Sequence, residues 1–209
     1  MEIKLSSTYK GTRILFKGLA AKKRGLINKI IDLMTSYGYE EIMIPIIQKQ
    51  EVFASKVGEE NMKMMYNFTD EGGRDLCLAP EYTAIVQQMA KNLFKYEKDV
   101  KMFYVAECFR GERPQAGRYR QFTQFGVEIL NPSKVYYFEL IEIAEEIIKL
   151  CTNNYEVNTN ATRGLDYYVG GKGFEIACPE LGAQKQVCGG GSYDGGVGFA
   201  IGLDRILLL

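Results

Sequence analysis

A row of chemically capable side chains runs along residues 118–129. If this segment is a strand, its side chains alternate between two faces. One face is the more apolar. The other carries two cations, a ring, an amide and a carboxylate in a line, namely Arg118, Arg120, Phe122, Gln124 and Glu128, with Gly126 before the carboxylate. Such a row suits a ligand with a negative end, a flat ring and a positive end, as ATP and an amino acid have together. The alternative is a solvated strand face with scattered charges.

The chemistry open to this chain is limited by its lack of histidine. Ser-His-Asp and Cys-His catalysis and histidine-ligated metals are therefore excluded. The cysteines, none within three residues of another, lack the spacing of a zinc site, so we predict reduced, buried thiols and no metal centre. They are Cys77, Cys108, Cys151, Cys178 and Cys188. Catalysis must then rely on carboxylates, arginines, lysines, tyrosines, a metal or positioning.

The composition is that of an ordinary globular protein, with 46% hydrophobic and 25% charged residues. The 26 acidic and 26 basic residues cancel, which argues against a broadly basic nucleic-acid binder but not against a local basic patch. The sequence has no apolar run of membrane-spanning length and no signal-peptide stretch. We therefore predict a cytoplasmic protein that does not contact a membrane.

The elements that must position these residues alternate between helical and strand patterns. Helices are predicted at 16–37, 50–57, 81–94, 134–150 and 202–209. Strands are predicted at 39–44, 64–69, 74–79, 101–110, 118–130, 163–169, 173–178 and 184–188, with a glycine-rich turn after the last. The strands outnumber the crossovers that a parallel sheet needs. The sequence therefore predicts an α+β fold, a mostly antiparallel sheet flanked by helices in a single domain over 1–209.

Several segments resemble the catalytic core of class II histidyl-tRNA synthetases. Residues 109–130, FRGERPQAGRYRQFTQFGVEIL, are similar to motif 2 of that family. The other similar segments follow in the family's order: KGTR at 10–13, YGYEEIMIP at 37–45, CLAPEYT at 77–83, TRGLDYYVGGKGFEI at 162–176, GGGSYDGG at 189–196 and VGFAIGLDRILLL at 197–209. The resemblance covers nearly the whole chain and implies the class II synthetase catalytic fold.

The resemblance also implies a reaction of protein biosynthesis, in which histidine is activated by ATP to histidyl-adenylate and pyrophosphate. Mg²⁺ would accompany the ATP. Two arginines are implied to be catalytic: Arg110 at the α-phosphate and the substrate carboxylate, and Arg163 where other class II enzymes have a metal ion. The other implied ATP contacts are Glu112, Arg118 at the γ-phosphate, and Phe122 and Arg205 on the two faces of the adenine.

The amino-acid site implied by the resemblance has three parts. Glu81, Thr83 and Gln124 would hold the ammonium group, Glu128 and Tyr168 would read the imidazole, and Tyr167 and Tyr193 would line the pocket. Each residue has an alternative interpretation, because a lone arginine can belong to a surface ion pair and a lone tyrosine to a core.

The chain departs from the family in length and at single positions. Only about a dozen residues separate Leu150 from Arg163, where the family carries an insertion, and no anticodon-binding domain follows Leu209. Transfer to tRNA is therefore left open, and another acceptor is an alternative. Ala79 and Ser192 replace arginines of the family, and Tyr82 is expected to reshape the ammonium pocket.

A function of a different class also remains open. A non-catalytic paralogue, such as the regulatory subunit of ATP phosphoribosyltransferase, resembles the same core. The retained arginines favour catalysis, since a regulator has no need of the full ATP grip. Motif 1, with the apolar face of helix 16–37 and Pro45, further predicts a homodimer.

Overall fold

The structure is a computed structural model that describes residues 2–3, 7–54, 56, 62–165 and 167–209. Its strands are β1 (Glu2–Ile3), β2 (Ile14–Leu15), β3 (Glu40–Glu41), β4 (Ile47–Lys49), β5 (Asn67–Thr69), β6 (Asp75–Leu78), β7 (Val100–Phe109), β8 (Gln121–Leu130), β9 (Glu156–Thr162), β10 (Lys172–Ala177), β11 (Gln186–Tyr193) and β12 (Gly196–Gly202). The α-helices bounded within the described residues are α1 (Leu19–Ser36), α2 (Thr83–Asn92), α3 (Tyr137–Lys149) and α4 (Leu203–Ile206). Short 3-10 turns lie at Gln50–Val52, Val169–Gly171 and Pro179–Gln184.

The main sheet has seven strands in the order β3-β7-β8-β12-β11-β10-β9. Each neighbouring pair is antiparallel except β3 with β7. A second sheet has the order β4-β6-β5. These observations confirm the α+β class and the mostly antiparallel sheet predicted from the sequence.

Helices α1 and α3 cover one face of the main sheet because each has an apolar stripe at helical spacing. Ile30 and Met34 of α1 are fully buried, as is Ile147 of α3. They pack with the inward side chains of the central strands, such as Phe125 and Val127. This layer fixes the back of the sheet and leaves the other face to build a site.

The opposite face of the sheet is only half covered. Helix α2, the small sheet and the side chains of Met102 and Tyr104 form a second apolar cluster there. The other half of this face, over β8, β11 and β12, is open. The alternation of β8 puts Phe122 and Gln124 on this open side, as the sequence predicted.

One strand prediction near the C-terminus is wrong. Residues 163–169, predicted as a strand, hold bends and turns in their described part, and residue 166 lies outside the described residues. The strand instead precedes them as β9. Its sequence, EVNTNAT, alternates only weakly, because β9 is an edge strand with mostly exposed side chains: Val157, Thr159 and Ala161 share one face, and of these only Ala161 is buried. Half-buried strands are recognised by a stronger apolar alternation.

The predicted glycine-rich turn is also wrong, because Gly189–Tyr193 continue β11, and β12 follows after a tight turn. These glycines are in a strand because neighbouring side chains occupy the space of a side chain. A Cβ on Gly190 would lie 2.6 Å from Phe199 Cβ. Glycine inside a strand often marks such a close approach.

Smaller differences concern element ends. The predicted strand at 39–44 is reduced to β3, and the predicted helix at 50–57 is a 3-10 turn at Gln50–Val52, with residues 55 and 57 outside the described ones. No helix in the described part of the chain is long and apolar enough to cross a membrane. The five cysteines are free thiols, and all but Cys151 are buried.

Candidate active site

A cleft of about 490 Å³ lies over the open half of the sheet. It is within the size range of small-molecule sites. Eleven of the thirteen predicted site residues line it: Glu81, Thr83, Arg110, Glu112, Arg118, Phe122, Gln124, Arg163, Tyr167, Tyr168 and Arg205. The other two, Glu128 and Tyr193, are buried, and Glu128 accepts hydrogen bonds from both Thr83 and Tyr193. Residues distant in sequence thus meet at one place.

Two arginines of the cleft, Arg110 and Arg205, are held by backbone carbonyls. Arg110 donates from Nε to the Pro80 carbonyl at 2.9 Å, and its guanidinium lies 5.2 Å from the centre of the Phe122 ring. Arg205 donates from Nε to the Gly117 carbonyl at 2.9 Å and from Nη1 to the Gln186 carbonyl. These bonds restrain both cations without neutralising them.

We call one end of the cleft, formed by Arg110, Arg118, Arg163 and Arg205, the cationic end. A carboxylate lies there too, since Arg118 forms an ion pair with Glu112. Burial lowers the pKa of Arg205. The nearby cations Arg118 and Arg110 lower this pKa further, whereas the Glu112 carboxylate partly offsets the fall. A cluster in which one cation disfavours the next attracts anions. Arginine is well suited to phosphate and carboxylate because its planar fork can bind both with two hydrogen bonds.

The other end of the cleft holds buried acids. Glu81 caps helix α2, since its two carboxylate oxygens accept hydrogen bonds from the Thr83 and Ala84 amides, each at 2.9 Å. Burial raises the pKa of Glu81, while those amides and Arg110 counteract part of the rise. The local sequence fixes the carboxylate because a helix N-terminus offers unpaired amides to an acid just before it.

Glu128 is the second buried acid, with 1% of its surface exposed. It accepts from Thr83 Oγ1 at 2.9 Å and from Tyr193 Oη at 2.7 Å. Burial raises its pKa to about 8, partly offset by these two donors. A Cβ on Gly198, opposite Glu128 in β12, would overlap the carboxylate. This end of the cleft is therefore enclosed. We call it the carboxylate end, and it consists of Glu81, Thr83, Gln124 and Glu128 with the tyrosines beside them.

Three tyrosines close this end. Tyr167 Oη donates to Glu81 Oε2 at 3.3 Å, and its ring centre lies 4.7 Å from that of Tyr168. Tyr193 lies 6.2 Å from Tyr167, edge to face. Hydroxyl groups in an enclosed apolar wall give a site few but directional polar contacts.

Three residues that were not predicted from the sequence, Tyr104, Cys108 and Glu175, hold predicted site residues in place. Gln124 Nε2 donates to Tyr104 Oη at 3.2 Å, and Cys108 Sγ donates to Gln124 Oε1 at 3.2 Å. Glu175 Oε1 lies 2.7 Å from Arg163 Nη1. Period-two alternation of 101–110 could have indicated Tyr104 and Cys108, since both lie on one face of that strand. Nothing local marks Glu175.

Three expectations at single residues are corrected. Arg120 lies in the loop before β8 and turns to the N-terminal segment, where its Nη1 donates to the Lys10 carbonyl at 3.2 Å and its guanidinium lies over Tyr9. Tyr82 is not among the residues that line the cleft; it is fully buried and donates to the Glu107 carbonyl at 2.9 Å. Arg118 belongs to the loop as well, but it does line the cleft.

No group of three or more histidine, cysteine, aspartate or glutamate side chains is placed to hold a metal ion in the residues that the structure describes. The charged side chains that line the cleft are those of arginines, glutamates and Asp204. The arrangement can bind a molecule with an anionic and a cationic end.

Comparisons with known proteins agree with this geometry. A family model described as histidyl-tRNA synthetase matches residues 11–159. The histidine–tRNA ligase of Methanosarcina acetivorans is 30% identical, with 95% of this chain and 74% of that protein covered. That alignment runs over 306 positions against 209 residues here, so at least 97 of its positions have no counterpart in this chain.

Solved structures give the same result. Apo histidyl-tRNA synthetase of Staphylococcus aureus has a TM-score of 0.78 at 26% identity, covering 98% of this chain and 70% of that one. A protein of Bacillus halodurans described as an ATP phosphoribosyltransferase regulatory subunit/histidyl-tRNA synthetase has a TM-score of 0.78 at 14% identity, covering 100% and 84%. The second likeness is one of fold alone.

Proposed function

The chain belongs to the histidyl-tRNA synthetase family, and we propose from this premise that its cleft activates histidine with ATP to form histidyl-adenylate and pyrophosphate. The observation that carries the proposal is the division of one cleft into a cationic end and a carboxylate end. A phosphate-rich nucleotide fits the first, and an amino acid with a polar side chain fits the second.

At the cationic end, the reaction is attack of the histidine carboxylate on the α-phosphate, with pyrophosphate as leaving group. Such a step depends on positioning and charge neutralisation rather than on proton transfer. Arg110 and Arg163 would stabilise the charge at the α-phosphate. Arg118, with Glu112 beside it, would bind the outer phosphates, and Phe122 and Arg205 would enclose the adenine. Mg²⁺ arrives with ATP as part of the substrate.

At the carboxylate end, Glu81, Thr83 and Gln124 would bind the ammonium group. Neutral imidazole presents one donor and one acceptor. Glu128, with a pKa of about 8, carries a proton near neutral pH in the empty cleft and so has a donor for the acceptor nitrogen. A buried polar pocket rejects side chains that leave its groups unpaired, by ~10⁴-fold at best. Tyr168 would read the imidazole together with Glu128, and Tyr167 and Tyr193 would line the pocket.

We propose further that this single catalytic domain works as a cytoplasmic homodimer. Motif 1, at residues 37–45, carries Met43 at 90% exposure, and Ile47, two residues beyond it, is 55% exposed. Exposed apolar side chains close together in sequence are typical of an interface. Sedimentation at micromolar concentration tests this, and a monomer would contradict it.

ATP–pyrophosphate exchange tests the proposed function. The assay uses the purified chain with each of the twenty amino acids, and it needs no tRNA. We expect exchange that depends on histidine. Exchange with another amino acid would retain the reaction but contradict the roles of Glu128 and Tyr168. A folded chain without exchange would favour the regulatory paralogue.

The proposed acceptor is tRNA, as the names of the relatives imply. At least 97 aligned positions of the Methanosarcina enzyme are absent here. Transfer to tRNA must therefore be measured directly on this chain. Radiolabelled histidine, ATP and total tRNA should give acid-precipitable histidyl-tRNA. Adenylate formation without this product would point to a different acceptor.

A further inference from the structure

An ion pair that the proposed site does not yet use connects two neighbouring strands beside the cleft. Arg163 follows β9 directly, and Glu175 lies in β10, which pairs with β9. Arg163 Nη1 and Glu175 Oε1 are 2.7 Å apart. The arginine side chain is 12% exposed and the glutamate 33%. The pair is therefore shielded from solvent on its arginine side, where an ion pair is worth more than on an open surface.

The space around the Arg163 guanidinium is filled on its other sides. A Cβ on Gly189 of β11 would overlap the guanidinium, and a Cβ on Gly173 would lie 2.9 Å from Arg163 Cγ. The Tyr168 ring centre is 5.2 Å from Arg163 Cζ. Since Arg163 also lines the cleft, the cation is held between a carboxylate, a ring and two glycine positions with one side toward the ligand.

One polar atom of this arginine is unsatisfied. Arg163 Nε is buried and has no acceptor among the described residues. A buried donor without a partner destabilises the conformation that holds it. The orientation of this side chain must therefore be maintained by its other contacts.

We propose that Glu175 is a positioning residue that holds Arg163 in the orientation needed at the reacting phosphate, and that Gly189 provides the space for it. This inference rests on the proposed function. A preorganised charge stabilises a transition state because no reorganisation is needed during the reaction. Glu175 is not among the residues that line the cleft, so it would act only through Arg163. The competing interpretation is a tie between β9 and β10 that affects stability alone.

The kinetic test is ATP–pyrophosphate exchange with Glu175→Ala and Glu175→Gln. We expect Glu175→Ala to lower kcat by about 10-fold, with KM for histidine and ATP changed less than about 3-fold, because a transition-state interaction is weakened. Glu175→Gln, which keeps an acceptor oxygen, should recover part of kcat. Glu156→Ala is the matched control, since Glu156 is an exposed acid on β9 opposite Ala177.

A double-mutant cycle separates the two interpretations. If Glu175 acts through Arg163, Glu175→Ala has no further effect on kcat in an Arg163→Ala background. Gly189→Ala should displace the guanidinium by overlap and lower kcat without removing a charge, with folding followed by circular dichroism.

Independent, multiplicative losses in the cycle would overturn the inference while leaving the proposed function intact. So would a Glu175→Ala variant that keeps kcat within about 2-fold and loses only thermal stability. No exchange by the wild-type chain would overturn the proposed function and this inference with it.

Discussion

The two ends of the cleft are built on different principles. The cationic end is half open, with 47% of the Arg118 side chain exposed. Two of its arginines, Arg110 and Arg205, are oriented by neutral backbone carbonyls, whereas Arg118 and Arg163 are each paired with a carboxylate. The carboxylate end is closed, with Glu81 and Glu128 at 3% and 1% exposure and bonded to hydroxyls and amides.

This contrast separates two tasks. Carbonyls orient a cation and leave its net charge for phosphates, which suits acceleration of a charge-developing step. Buried acids with satisfied hydrogen bonds penalise any ligand that fails to match them, which suits selection. We therefore expect substitutions at the cationic end to reduce kcat and those at the carboxylate end to raise KM for the amino acid.

The largest effect is expected at Arg163. Arg163→Ala should lower kcat of ATP–pyrophosphate exchange by about 10²-fold or more, the usual result of losing one preorganised donor. Arg74→Ala, which removes an exposed arginine paired with Asp70, is the control and should change kcat less than about 2-fold. A loss below about 3-fold for Arg163→Ala would reject its catalytic role.

A smaller effect is expected at Glu128. Glu128→Gln keeps the shape of the side chain but alters its donor and acceptor pattern against the imidazole. A mismatched buried hydrogen bond costs about 1–3 kcal/mol, so KM for histidine should rise about 5- to 150-fold. KM for ATP, measured in the same assay, should stay within about 2-fold. An equal rise in both would contradict the division of the cleft.

The cleft residues that could be predicted from the sequence belong to continuous sequence patterns. Phe122, Gln124 and Glu128 follow the period of one strand, and motif resemblance added the arginines. Arg120 shares that period but points elsewhere, because β8 begins only at Gln121. The loop residues before Gln121 contact the N-terminal segment instead. No local sequence pattern predicts where that segment lies.

The unpredicted part depends on tertiary contacts. The glycines of β11 resemble a turn in sequence, but Gly189 is small because Arg163 lies against it. The strand preceding Arg163 was missed because its alternation is weak, with Val157 and Ala161 as its only hydrophobic residues. Glu175 gained significance only once β9 and β10 were paired. Propensity cannot indicate such positions, since the neighbour that determines the residue is distant in sequence.

The pH dependence of stability should reveal the carboxylate end as well. The pKa of Glu128 is raised from 4.5 to about 8 in the folded chain, so the folded state retains a proton that the unfolded state releases. Stability from this group is therefore present below pH about 4.5 and is lost as pH rises through about 8. Burial of Glu81 acts in the same direction.

We expect the melting temperature to fall between pH about 5 and about 8.5, and to fall less in Glu128→Gln. Surface acids with lowered pKa, such as Asp70 and Asp99, titrate below this window and should not mask the trend. A variant with the same pH slope as the wild type would show that Glu128 does not titrate as proposed.

The smallest kinetic effect is expected at Tyr82, which lies beside the carboxylate end in sequence but faces away from it in space. Its hydroxyl donates to the Glu107 carbonyl, and its ring centre is 5.2 Å from that of Tyr104. Tyr82→Phe should leave that carbonyl unpaired, at a cost of about 1–3 kcal/mol. Because this loss lies outside the cleft, KM for histidine should stay within about 2-fold while the melting temperature falls by several degrees. The reverse result, a higher KM at unchanged melting temperature, would bring the Tyr82 ring back to the substrate ammonium group and extend the carboxylate end beyond Glu81.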